Sequence, residues 1–135
     1  MQDRLYPLCA GLFLVLFACA GCSSAPAPEL PTAHPVTGTV VDAAGQPITG
    51  GTLQFESLAS AGQMGIAEIQ ADGTFTVHTF VDGHKLVGAV PGPQRITYMP
   101  LMTEDQAAAN PVTLTETFEV QAGGNEFTIK VPKAR

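Results

Sequence analysis

From Val36 onward, short runs of alternating apolar and polar residues are broken repeatedly by glycine, proline or Asp-Gly pairs. That pattern suits half-buried strands joined by tight turns, and little else. Val36, Gly38 and Val40 alternate with Thr37, Thr39 and Val41, and Leu53 and Phe55 with Thr52, Gln54 and Glu56. The same holds for Phe75 and Val77, Ile96 and Tyr98, Phe118 and Val120, and Phe127, Ile129 and Val131. Each run offers one apolar face and one polar face. No window sustains a helical period. The nearest, Glu104 to Asn110, is at most one or two turns before Pro111. With 14 Gly and 11 Pro in 135 residues a largely helical chain is disfavoured. With 45% hydrophobic and 13% charged residues a disordered one is too. The expectation is one all-β domain over residues 36–135, an antiparallel β-sandwich of about seven strands.

The breaks carry turn chemistry. Asp42-Ala-Ala-Gly45-Gln-Pro47 follows the first strand. Asp72-Gly73 is expected to close a type I′ hairpin, because that pair tolerates positive φ. Asp82-Gly83 and Pro91-Gly92-Pro93 break the middle, and Gly123-Gly124-Asn125 links the last two strands. The inward set should be Val40, Ile48, Leu53, Phe55, Ala67, Ile69, Phe75, Val77, Val90, Ile96, Tyr98, Val120, Phe127 and Ile129.

The first 22 residues differ from all that follows. Arg4 precedes an almost wholly apolar run, Leu8 to Ala20, then small residues and Cys22. This is the order of an export signal, and the run is shorter than the ~20 residues that span a bilayer. Ser23 to Pro35 contains Pro26, Pro28, Pro31 and Pro35, which predicts an extended tether with a reach on the order of 40 Å. His34 falls in this tether and is expected to be solvated. All three cysteines, Cys9, Cys19 and Cys22, precede it, so no disulfide is available to the domain.

Ala20-Gly21-Cys22 resembles the lipobox of bacterial lipoproteins, in which a small pair precedes the cysteine that is acylated and becomes the mature N-terminus. Cys19 stands where that family usually has Leu. The alternative register, Leu16-Phe17-Ala18-Cys19, has the Leu but sets a bulky Phe in the middle. The resemblance implies a signal over residues 1–21, a lipid on Cys22 and a tether over 22–35. It implies an exported, lipid-anchored protein on the outer membrane or the periplasmic face of the inner membrane. Several acyl chains would hold it there, each buried methylene adding roughly 0.8 kcal/mol.

A second resemblance covers Val36-Thr-Gly-Thr-Val-Val-Asp-Ala-Ala-Gly-Gln-Pro-Ile, Thr52-Leu-Gln-Phe, Ala71-Asp-Gly-Thr-Phe-Thr-Val and Gly124-Asn-Glu-Phe-Thr-Ile. These segments are similar to the carboxypeptidase regulatory-like domain of small planctomycete-type bacterial lipoproteins. The resemblance implies a seven-stranded, transthyretin-like (prealbumin-like) Greek-key sandwich. It rests on turn and core residues, so it speaks to fold rather than to activity. Transthyretin-like hydrolases of hydroxyisourate carry a closing Tyr-Arg-Gly-Ser, whereas this chain closes Val131-Pro-Lys-Ala-Arg135.

Few residues suggest chemistry. Twelve Asp and Glu against six Lys and Arg give a net charge of −6, which opposes nucleic-acid binding. His34, His78 and His84 lack ligand spacing, so no metal is expected; Asp42, Asp72 and Asp82 read as turn residues rather than calcium ligands. The serines, Ser57 and Ser60 among them, lie in no nucleophile elbow. No catalytic residue and no cofactor is expected. The segment Pro100 to Thr117 is long for a sandwich connection, and Met99, Leu101 and Met102, beside its acidic, Ala-rich stretch, form a candidate contact surface. The functional expectation is a non-enzymatic, lipid-anchored envelope protein with a structural or interaction role, partnered by the membrane and by an envelope protein or glycan. The alternative is a carbohydrate- or peptide-binding module using residues 99–110.

Overall fold

The computed structural model describes residues 25–27, 29–102 and 110–132. Cys19, Cys22 and the segment expected to direct export lie outside the described residues, as does the Glu104–Asn110 run apart from Asn110.

The described chain is all β. Its strands are β1 (Val36–Val41), β2 (Thr52–Ser57), β3 (Met64–Glu68), β4 (Thr74–Thr76), β5 (His78–Val81), β6 (His84–Val87), β7 (Gly92–Met99), β8 (Val112–Val120) and β9 (Asn125–Lys130). They form a three-stranded sheet in the order β4-β1-β9 and a six-stranded sheet in the order β6-β5-β3-β2-β7-β8. The inner faces of both sheets feed one core, as in a β-sandwich. Every pairing is antiparallel except β1 with β9, which run parallel from Val36↔Asn125 to Val41↔Lys130.

The strand count exceeds the expected seven for two reasons. The 74–81 run is split at Val77, where the chain leaves the small sheet and joins the large one. Val77 is fully buried, donates its N–H to the Val36 carbonyl at 2.9 Å and accepts from the Gly88 N–H at 2.7 Å. Beyond that corner, β5 and β6 form a hairpin that widens the large sheet past β3. The long connection is also shorter than expected, because β8 begins at Val112 and buries Leu114.

Leu53, Phe55, Ala67, Ile96 and Val120 enter the core from the large sheet, and Val36, Val40, Phe75 and Ile129 from the small one. The Phe55 and Phe75 rings meet across it, with centroids 5.9 Å apart. Phe118 and Phe127 close the open side between β8 and β9, 5.3 Å apart. Ile48, Tyr98 and Phe127, expected inside, are partly buried against this cluster. Gly38 is fixed by contact: a Cβ there would collide with the Phe127 carbonyl across the β1–β9 pair.

The two Asp-Gly turns exchange roles relative to expectation. Asp72-Gly73 does not join paired strands, since β3 and β4 belong to different sheets. It sits in a local turn closed by the Gly73 N–H on the Gln70 carbonyl (2.9 Å), and Asp72 does not have positive φ. The type I′ geometry is at Asp82-Gly83, with φ of 48° and 80°, between the paired residues Val81 and His84.

Candidate functional site

The strand registers give the body two distinct poles. At one, β1 and β9 begin at Val36 and Asn125, and β7 begins where β8 ends, at Gly92↔Val120. The Leu58–Gln63 loop and the Asp82-Gly83 turn lie at this same end, because Ser57 pairs with Gln94 and β3 with β5. At the other pole are the Asp42–Pro47 turn, Thr49–Gly51, Gln70–Gly73 and the exit of β7 at Met99.

The proline-rich segment enters at the first pole, and it is fastened there. His34 is paired with Ala89 through both main-chain bonds, at 2.8 and 3.0 Å. Its Nδ1 accepts from the Gly123 N–H at 3.3 Å. The expectation of a solvated tether histidine is therefore corrected: the ring is half-buried and the ordered body starts at His34. Asn125 completes the clasp. Its amide donates to the Gln121, Gly123 and Pro35 carbonyls at 2.9, 3.1 and 3.3 Å, and its Oδ1 accepts from the Gln121 N–H at 2.9 Å. The sequence reading placed Asn125 in a turn but had no signal for its hold on Pro35, 90 residues away along the chain.

At the opposite pole lies a cleft of about 580 Å³, with Thr49, Thr52, Ile66, Glu68, Ala71 and Leu101 among its lining residues. Leu101 covers Gly50, where a Cβ would strike its side chain. Gly50 and Gly51 take φ of 92° and 99°, so the chain turns into β2 through a conformation that other residues rarely adopt. Of the three candidate contact residues, only Leu101 lines the cleft. Met99 pairs with Thr52 on β2, half-buried. Met102 is 83% exposed and Leu101 59%. Tyr98 packs against Gly51 from below, and burial pushes its phenol up.

The outer face of the large sheet was not singled out by sequence, and it is divided. Cross-strand register aligns Val87, His78, Ile66, Gln54, Thr97 and Thr113 in one row. The β2-β7-β8 half is polar. Thr97 and Thr113 hydroxyls meet at 3.0 Å, and Arg95 reaches Glu56 at 3.3 Å. The β3-β5-β6 half exposes Met64, Ile66, Phe80 and Val87, with His78, Lys85 and Glu68 among them. The signal was present: Met64 and Ile66 alternate with small residues, Gly65 and Ala67, which face inward.

The acidic turn residues have structural partners. Asp42 Oδ1 accepts from the Ala44 and Gln46 N–H groups at 2.8 and 2.9 Å. Asp72 Oδ1 accepts from the Thr74 hydroxyl at 2.6 Å and the Thr74 N–H at 3.0 Å, and these bonds hold its carboxyl below the ordinary aspartate range. Ser57 Oγ accepts from the Ser60 N–H at 3.0 Å. His78 is half-buried on the outer face, and His84 is exposed opposite Val81. Among the described residues no three His, Cys, Asp or Glu side chains converge.

No protein-family model, curated protein or solved structure matches the chain.

Proposed function

We propose that this chain is a non-enzymatic, lipid-anchored β-sandwich of the bacterial cell envelope, exported and then held to a membrane through acyl chains on Cys22, with a structural or interaction role. The observation that carries this reading is the polarity of the body. The proline-rich segment is clasped by Ala89, Gly123 and Asn125 at one pole, while the Leu101 cleft opens at the other. An anchor on the tether would therefore direct the cleft away from the bilayer. From Cys22 to Ala33 an extended tether reaches on the order of 35 Å. The test is fractionation of the full chain. The parent should stay in the particulate fraction, and a Cys19→Ser, Cys22→Ser double variant should be released. Equal retention of the two would contradict the anchor.

The fold reading is a transthyretin-like Greek key carrying a carboxypeptidase regulatory-like domain of the planctomycete lipoprotein type. Its support is topological. Without the β5–β6 hairpin, the sheets reduce to β4-β1-β9 and β3-β2-β7-β8, which makes seven strands.

The cleft favours a second reading, a carbohydrate- or peptide-binding module using residues 99–110. Threonine hydroxyls and the Glu68 carboxylate beside Leu101 and Ile66 offer polar and apolar contacts together. Envelope glycans or peptides should raise the unfolding temperature of the parent and not that of a Leu101→Asp variant. No shift with any of them would remove this reading.

A further inference from the structure

We infer that the exposed apolar cluster of Met64, Phe80 and Val87, on the large sheet's outer face, docks on the surface of the bilayer itself. This rests on the anchor reading above and adds an orientation to it. Met64, Phe80 and Val87 are 41%, 54% and 57% exposed, while the exposed Ile66 belongs to the cleft. Register makes them neighbours: the Gly65↔Thr79 pair sets Met64 beside Phe80, and the His78↔Val87 and Phe80↔Lys85 pairs set Val87 diagonal to Phe80. A cluster of exposed apolar side chains of this kind marks a contact surface.

Two observations select a lipid surface as the occupant. The first is position. Met64, Phe80 and Lys85 lie toward the pole where the tether enters at His34. Leu58, also exposed, belongs to the loop at that pole. Anchoring on residue 22 holds this end of the body within the short reach of the tether. Tethering raises the effective concentration of the surface, so a shallow contact suffices. The second is charge. Lys85 stands beside Phe80, and the single ion pair among the described residues, Arg95–Glu56, does not involve it. Its ammonium is available to anionic headgroups, whereas His84 alternates to the other face of β6. The carboxylates bordering the patch are Asp82 at the hairpin tip, Glu56 held by Arg95, and Glu68 toward the far pole.

The fold also limits the depth. β6 is an edge strand, so its outward main-chain groups have no strand partner. Such groups need water, which places the contact in the headgroup layer and not in the hydrocarbon.

The experiment uses the full acylated protein in vesicles of phosphatidylethanolamine and phosphatidylglycerol. A nitroxide is attached at Val87→Cys, or at Thr113→Cys on the polar half; acylation leaves the mature chain no other thiol. Docking predicts that collision with a water-soluble nickel complex falls severalfold at position 87 relative to 113, while collision with oxygen rises. A Phe80→Glu variant should keep its unfolding temperature and its flotation with vesicles, and lose the protection at 87. Protein that floats with equal exposure at both positions overturns the docking and leaves the anchor standing. Dipolar broadening between labels at 87 overturns it in favour of a second copy. Failure to float removes the anchor reading and the docking together.

Discussion

Phe75 illustrates what single residues contribute to this body. It is buried, it reaches across the core to Phe55, and there is no disulfide or tryptophan to share the load. Phe75→Ala should cost about 3–5 kcal/mol of stability in urea denaturation. A loss under about 1 kcal/mol would place Phe75 outside the core. Asp72 acts at the surface and through ionisation. Its carboxylate accepts from the Thr74 hydroxyl and N–H, which lowers its pKa in the folded state. The contribution is therefore fully present above the unfolded value and fades as pH falls through the lower folded one. In carboxyl NMR titration Asp72 should titrate below an unperturbed aspartate. Asp72→Asn should shift the urea midpoint less than the parent's as pH drops from about 5 to 2. An Asp72 that titrates at the ordinary position would refute the bond to Thr74.

Elements were legible where one face is large and apolar. β1, β2, β4, β7 and β9 follow the alternation read from sequence, and eleven of the expected inward residues are buried: Val40, Leu53, Phe55, Ala67, Ile69, Phe75, Val77, Val90, Ile96, Val120 and Ile129. β3 escaped because its pattern is inverted. Gly65 and Ala67 face inward, where Val77 and Phe55 occupy the space above Gly65, and the large Met64 and Ile66 face out. β6 escaped because an edge strand of His84, Lys85, Leu86 and Val87 has no buried face to read. The turn exchange has a similar cause. Asp-Gly announces a turn, but pairing of the flanking strands decides its type, and pairing is a long-range property. Nor does sequence reveal that His34 is gripped by residues more than fifty positions away, or that the outer face exposes large apolar side chains on one half only. The β5–β6 hairpin offers a direct check. Asp82→Val puts a β-branched residue at φ 48° and should cost roughly 1–2 kcal/mol. Amide exchange should then quicken in β6 first, since only β5 holds it. A variant as stable as the parent would argue against the left-handed turn.

At the scale of the whole molecule, the two poles organise the account. One receives the proline-rich segment, clasped by Ala89, Gly123 and Asn125, and the other carries the Leu101 cleft. The exposed Met64, Phe80 and Val87 lie on the large sheet between them, with Met64 and Phe80 toward the first pole. In this arrangement the cleft, Ile66 included, points outward, and Met64, Phe80 and Val87 lie against lipid, provided that fatty chains hold the near pole. Mass spectrometry of the mature N-terminus tests that condition most directly. The account predicts that the processed chain starts at Cys22 with a diacylglyceryl group on its sulfur. A mature chain whose Cys22 is unmodified, or which starts at another residue without lipid, would contradict it.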